Sequence, residues 1–143
     1  MTIKRILKGK NSEAMLIKPT ANIYAAIQKL ARDDTSALIV TEDGDHILGI
    51  ASSSDIVRYL NRHHTFSAGL TIADVMTKDV VGCEAIETLG CVEKLMARHG
   101  VRHIPITNSG KLCGIISALD IVTDSLATAN LETKQMRDYV SGV

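Results

Sequence analysis

Tryptophan is absent, and one phenylalanine (Phe66) and three tyrosines (Tyr24, Tyr59, Tyr139) are the only rings of their kind. That leaves few platforms for stacking single-stranded bases. An excess of positive charge is missing as well: 16 Lys plus Arg meet 16 Asp plus Glu. A neutral chain lacks the field that supplies nonspecific affinity for nucleic acid, so no nucleic-acid partner is expected. Long apolar runs are lacking, and nothing is long enough to span a bilayer. The opening Met1-Thr2-Ile3-Lys4-Arg5 has no signal-peptide apolar stretch, so no membrane is expected either. Cysteine is scarce and odd in number: Cys83, Cys91 and Cys113 form no Cys-x-x-Cys pair. Neither a disulfide framework nor a thiolate metal site is expected, and reduced thiols fit a cytoplasmic protein.

What remains is a 143-residue chain, 45% hydrophobic, which is enough for a real core. Its length suits one ordinary domain, but the chain is written twice. At an offset of 66, Ile23, Ala26 and Leu30 fall on Leu89, Val92 and Met96. Ala31-Arg32 falls on Ala97-Arg98, and Ala37 to Val40 falls on His103 to Ile106. At an offset of 65, Gly49-Ile50-Ala51-Ser52-Ser53-Ser54-Asp55-Ile56-Val57 lies over Gly114-Ile115-Ile116-Ser117-Ala118-Leu119-Asp120-Ile121-Val122. The Gly, first Ile, Ser, Asp, second Ile and Val are shared. An ordered series of matches defines an internal repeat.

Each copy carries the same elements. Ile23, Ala26, Ile27, Leu30 and Ala31 have helical spacing, with Asn22 and Thr88 at the N-cap positions of the two copies. Ala37 to Val40 predicts a short strand, Glu42-Asp43-Gly44-Asp45 a turn, and Ile47 to Ala51 the returning strand. A helix follows from about Ser53 to Asn61. The second hairpin turns at Asn108-Ser109-Gly110, and leading strands are expected at Ala14 to Ile17 and Val80 to Cys83. A unit of about 60 residues buries too little surface to stand comfortably alone. The fold class is therefore α/β (α+β): two pseudo-symmetric β-α-β-β-α repeats packed sheet to sheet. The divisions are residues 1–65, the first repeat with an N-terminal segment; 66–126, the second; and 127–143, a helical extension. Arg62 to Thr71 reads as the linker.

One motif carries chemistry. Gly-φ-φ-Ser-x-x-Asp, with φ an apolar or small residue, ends a strand and opens a helix in both copies. Ser-x-x-Asp is also a capping box, and Thr71-Ile72-Ala73-Asp74 repeats that spacing outside the motif. The functional reading uses the same geometry: helix-terminal amides attract phosphate, and an Asp carboxylate accepts from a ribose diol. A glycine at the strand end lets a ligand approach the backbone. Arg102-His103, before Ile104-Pro105-Ile106, offers a fork of phosphate donors. The first copy has Ser36 and Ala37 there, which makes any phosphate clamp one-sided.

The doubled motif, Asp74-Val75-Met76-Thr77 and Val101-Arg102-His103-Ile104-Pro105-Ile106 together resemble a tandem pair of CBS (cystathionine-beta-synthase) domains. The likeness runs from about Ile6 to Val122, and small stand-alone bacterial members resemble the chain most, down to a C-terminal helix near Asp138-Tyr139. The resemblance implies two facing sheets with clefts for adenosine-containing ligands. It implies that Asp55 and Asp120 hold ribose, that Ser52 and Ser117 lie by ribose or phosphate, and that Arg102 and His103 lie by phosphate. Ser54 keeps a phosphate-touching position that Leu119 loses, and Lys10 and Thr77 are implied as secondary lining. The clefts are thus unequal. The family also implies a homodimer, a regulatory nucleotide such as AMP, ADP, ATP or NAD(H) in place of a catalytic cofactor, and a downstream protein target.

Other clusters do not assemble. His63-His64 lack the companions of a metal site. The three cysteines lie in apolar settings, the Glu42, Asp43 and Asp45 carboxylates sit in an exposed turn, and Lys4, Arg5, Lys8 and Lys10 read as a solvated basic arm. No Ser-His-Asp order, P-loop or zinc motif appears, so no enzyme is expected. The rival reading is a ligand-free dimeric interaction scaffold whose Ser-x-x-Asp motifs are helix caps only.

Overall fold

A computed structural model of the chain describes residues 2–10, 15–32 and 35–140. Helix α1 (Ile3–Lys8) precedes a first unit of β1 (Leu16–Ile17), α2 (Ile23–Arg32), β2 (Ala37–Val40), β3 (Gly49–Ser52) and α3 (Ser53–His63). The second unit is β4 (Cys83–Glu84), α4 (Leu89–His99), β5 (His103–Asn108), β6 (Lys111–Ser117) and α5 (Ala118–Val140). Ala14, where the first strand was expected to start, lies outside the described residues.

Each unit builds a three-stranded sheet, in the order β1-β2-β3 and β4-β5-β6, with one parallel and one antiparallel pairing. The expected strand from Ile47 shortens to Gly49–Ser52. The second hairpin closes on Ser109 and Gly110, both at positive φ, the backbone that tight two-residue hairpins require.

Strand periodicity divides the core. Leu38 and Val40 point into the first unit's helical layer with Ile23, Ala26 and Ile56. Ile104, Ile106 and Ile116 do the same in the second with Leu89 and Val92. The alternate residues Ala37 and Ile39 meet Ile115 between the two sheets, with Ile50 and Leu112 packed beside them. This inter-sheet layer joins the two units into one body. α5 runs unbroken for 23 residues, and among the described residues no helix is long and apolar enough to cross a membrane.

The segments that lead into each repeat pack on the opposite unit. Ile3 of α1 is buried in the second unit's core. The basic arm is therefore a docked helix, with Arg5 paired to Asp124 at 3.1 Å and Lys10 to Asp120. Residues 71–77 pack on the first unit: Ile72 is fully buried there, and Thr77 bridges to Ile50 of β3. Phe66 and Leu70 of the expected linker pack into the same cluster.

Candidate functional site

Two helix N-termini converge where β3 runs into α3 and β6 runs into α5. Between them lies a cleft of about 860 Å³, within the ~300–1,000 Å³ usual for small-molecule sites. The first unit contributes Ser36, Ile50, Ser52, Ser53, Ser54, Asp55 and Arg58, and Thr77 joins them. The second contributes Gly100, Val101, Arg102, His103, Ser117, Ala118, Leu119 and Val122. Of the residues singled out in the sequence, Ser52, Ser54, Asp55, Thr77, Arg102, His103 and Ser117 meet here. Lys10 and Asp120 are not among the lining residues; they are bonded to each other, Nζ to Oδ2 at 2.5 Å.

Both Ser-x-x-Asp motifs form their capping boxes. The Ser52 amide donates to Asp55 Oδ2 at 2.8 Å, and the Asp55 amide donates to Ser52 Oγ at 3.3 Å. The same reciprocal pair joins Ser117 and Asp120, at 2.8 and 3.1 Å. Thr71 and Asp74 make a third box around a short 3-10 turn. Capping therefore accounts for Oδ2 of Asp55, while Oδ2 of Asp120 accepts from both the Ser117 amide and the Lys10 ammonium. On Asp55, Oδ1 accepts from Thr77 Oγ1 and Arg58 Nη1, both at 3.1 Å. The Arg58 side chain is 69% exposed, so this contact lies where a competing ligand can reach it.

Gly49 answers to a different need from the one expected. A Cβ there would stand 2.6 Å from Met76 Sδ and 2.9 Å from the Thr77 carbonyl oxygen. The glycine admits the incoming 71–77 segment, whose backbone exchanges hydrogen bonds with Ile50 at 2.8 and 2.9 Å.

His103 ties the halves together, its Nε2 lying 2.5 Å from Ser36 Oγ. Burial, and then the nearby Lys10 ammonium, hold the imidazole below its ordinary pKa of 6.5. The unfolded chain consequently takes up this proton more readily than the folded one. The His103 contribution is complete above about pH 6.5 and is lost as pH falls through the depressed folded value. His46 has the opposite sign, because hydrogen bonding to Asp43 raises its pKa. Melting curves from about pH 7.5 to 5.5 should show a loss of stability that His103→Gln reduces. An unchanged profile in that variant would remove His103 from the account.

Asp120 is buried enough to raise its pKa, but the Lys10 bond and the Ser117 amide outweigh burial and hold it below the usual carboxylate range. Burial also pushes the Cys83 thiol up to about 11, with Cys91 Sγ 4.0 Å away; such a thiol is a poor nucleophile.

Ser36, Ser53 and Arg58 are lining residues that the sequence reading did not select. Arg58 had a signal, since an Asp-x-x-Arg spacing on a helix faces the two side chains together. Ser36 had only its place as the repeat counterpart of Arg102, because nothing local distinguishes it from a solvated strand end.

A doubled β-α-β-β-α unit with a cleft between facing helix N-termini defines a two-repeat architecture. The chain belongs to the CBS domain family, whose model matches residues 10–62 and 72–126. The Bacillus subtilis protein YlbB is 34% identical over 102 residues, 70% of this chain and 68% of that one. A CBS-domain containing protein from Agrobacterium tumefaciens superposes with a TM-score of 0.79 at 28% identity, over 87% of this chain and 99% of that one. Inosine-5'-monophosphate dehydrogenase of Nitrosopumilus maritimus is 28% identical over 127 residues, 84% of this chain but 25% of the enzyme. The likeness to that enzyme is thus confined to its CBS region. CBS-domain pairs are regulatory modules.

Proposed function

We propose that the chain is a cytoplasmic regulatory module that binds an adenosine-containing nucleotide in this cleft without turning it over. The ligand class is AMP, ADP, ATP or NAD(H). The observation that carries the reading is the convergence of two helix N-termini, an acid (Asp55) and two guanidinium-bearing residues (Arg58, Arg102) on one cleft. Amides and guanidinium groups suit phosphate, and a carboxylate suits a ribose diol. Ser52, Ser54, Thr77, His103 and Ser117 complete the polar lining. Two structures with the same fold support the ligand class: CBSX2 is in complex with AMP, and the CBS domain pair of MJ0100 is in complex with 5-methylthioadenosine and S-adenosyl-L-methionine.

Because the chain carries no net charge, local donors have to hold the phosphate. A second copy is the proposed cover for Val57 and Leu126, exposed on α3 and α5 outside the cleft lining. A homodimer whose packing responds to the ligand would pass the signal to a downstream protein, since a ligand shifts only states it binds differently.

A thermal-shift screen over AMP, ADP, ATP, NAD, NADH and S-adenosylmethionine tests the reading. At least one should raise the melting temperature, and Arg102→Ala should weaken that ligand roughly tenfold. Calorimetry detecting no binding of any of them would sink it. A ligand-free scaffold is the second reading, favoured by the completed capping boxes.

A further inference from the structure

The last strands of the two repeats, β3 and β6, carry equivalent residues, Ile50 and Ile115, and each receives a lead-in segment at that point. At Ile50 the arriving residue is Thr77. Its hydroxyl donates to Asp55 Oδ1 at 3.1 Å, and its backbone exchanges hydrogen bonds with Ile50. At Ile115 the arriving residue is Lys10. Its ammonium donates to the Ile115 carbonyl at 2.9 Å and to Asp120 Oδ2 at 2.5 Å. A short neutral group thus stands at one place and a long cation at its pseudo-symmetric counterpart.

We propose that Lys10 is an internal occupant of the Asp120 end of the module, so that nucleotide is taken at the Asp55 end alone. The inference rests on the nucleotide reading of the cleft and names which of the two quasi-equivalent positions is closed.

Three observations support it. The contrast lies in the cations: Lys10 is 16% exposed beside an Asp120 that is 23% exposed, whereas Arg58 is 69% exposed beside an Asp55 that is 11% exposed. A ribose diol brings neutral hydroxyls. To bind Asp120 at Oδ2 it would have to part a largely buried ion pair and leave the ammonium uncompensated, which is far costlier than displacing a solvated partner. Lys10 is also no loose tail: Ile3 is 1% exposed in the second unit's core, and Arg5 pairs with Asp124, one turn beyond Asp120 on α5. The open cleft includes Asp55 in its lining and not Asp120.

Calorimetric titration with AMP and with ATP tests the inference on wild type, Lys10→Met, Asp120→Asn and the double variant Asp55→Ala/Lys10→Met. Methionine keeps an unbranched stem and drops the ammonium. For the nucleotide that binds, wild type and Asp120→Asn should take about one per chain, and Lys10→Met about two. The double variant should keep only the newly opened event. Two nucleotides per wild-type chain, or an unchanged stoichiometry in Lys10→Met, would overturn the inference and leave the nucleotide reading standing. No binding by wild type or Lys10→Met would overturn both. A ligand-free measurement guards against misfolded variants. Amide exchange across Ile3–Lys8 should quicken roughly tenfold in Lys10→Met and in Asp120→Asn while the β5 and β6 amides stay protected. Unchanged exchange in α1 would show that the pair holds nothing shut.

Discussion

Replacing Ile72 by alanine is expected to lower the melting temperature by roughly 4–20 °C. Ile72 is 0% exposed, and truncating a buried isoleucine costs about 2–5 kcal/mol in lost transfer energy and cavity. For a chain near this size each kcal/mol moves the midpoint by about 2–4 °C. Ile86→Ala is the control, because Ile86 is 85% exposed and surface changes stay within about 0.5 kcal/mol. A calorimetric scan decides. A shift for Ile72→Ala no larger than for Ile86→Ala would mean that the 71–77 segment is not part of the first unit's core. The expected loss is large for a residue that sequence order assigns to the second repeat. Ile72 shares a buried cluster with Leu70 and with Val40 and Ile56 of the first unit, and the Ile72 amide donates to the Ala21 carbonyl at 2.9 Å. It also anchors the segment that delivers Thr77 to Asp55.

Asp55→Ala should weaken nucleotide binding roughly 10- to 100-fold, the scale of losing hydrogen bonds to a charged acceptor. It also removes a capping box, so stability should fall by about 1 kcal/mol. The two effects separate by comparison with Asp74→Ala. Asp74 accepts from Thr71 N and Oγ1, both at 3.0 Å, in a capping box of the same design, and it is not among the cleft residues. That variant should show a similar stability loss with nucleotide affinity unchanged. Calorimetric Kd values and melting temperatures on the same preparations measure both. Equal stability losses with no ligand-dependent stabilisation in the parent protein would favour the scaffold reading, in which Asp55 caps α3 and does nothing more.

Much of the fold was legible because it is local. The 3.6-residue spacing from Ile23 to Ala31 becomes α2, and the apolar run Ala37 to Val40 becomes β2, buried on both faces between helices and the opposite sheet. Thr88 caps α4 as expected, its hydroxyl accepting from the Cys91 amide at 3.2 Å. Gly100 ends that helix with φ 63° and separates His99 from His103. The duplicated motif located both helix N-termini, and Arg102-His103 was found on the cleft wall. Arg58 is not marked by the Gly-φ-φ-Ser-x-x-Asp motif, which ends at the Asp, one turn short of its partner. The basic arm was misread because the charges of Lys4, Arg5, Lys8 and Lys10 masked an apolar anchor, Ile3, whose burial depends on a surface about a hundred residues away in the chain.

The sequence by itself determined a doubled β-α-β-β-α unit, the caps that start its helices and the residue types available at two related positions. These follow from interactions spanning a few residues, and the repeat makes them visible twice. Only the tertiary structure decided which unit each lead-in segment serves. It set Thr77 against Asp55 and Lys10 against Asp120, an inequality added to the one that Ser54, Leu119 and Arg102-His103 already mark in the sequence. The physical reason is that both carboxylates are presented by near-identical local geometry. Beyond Arg58, a local partner of Asp55 alone, what distinguishes them is the partner that packing brings in: a hydroxyl on a buried isoleucine's segment at one end, and an ammonium held by a docked helix at the other.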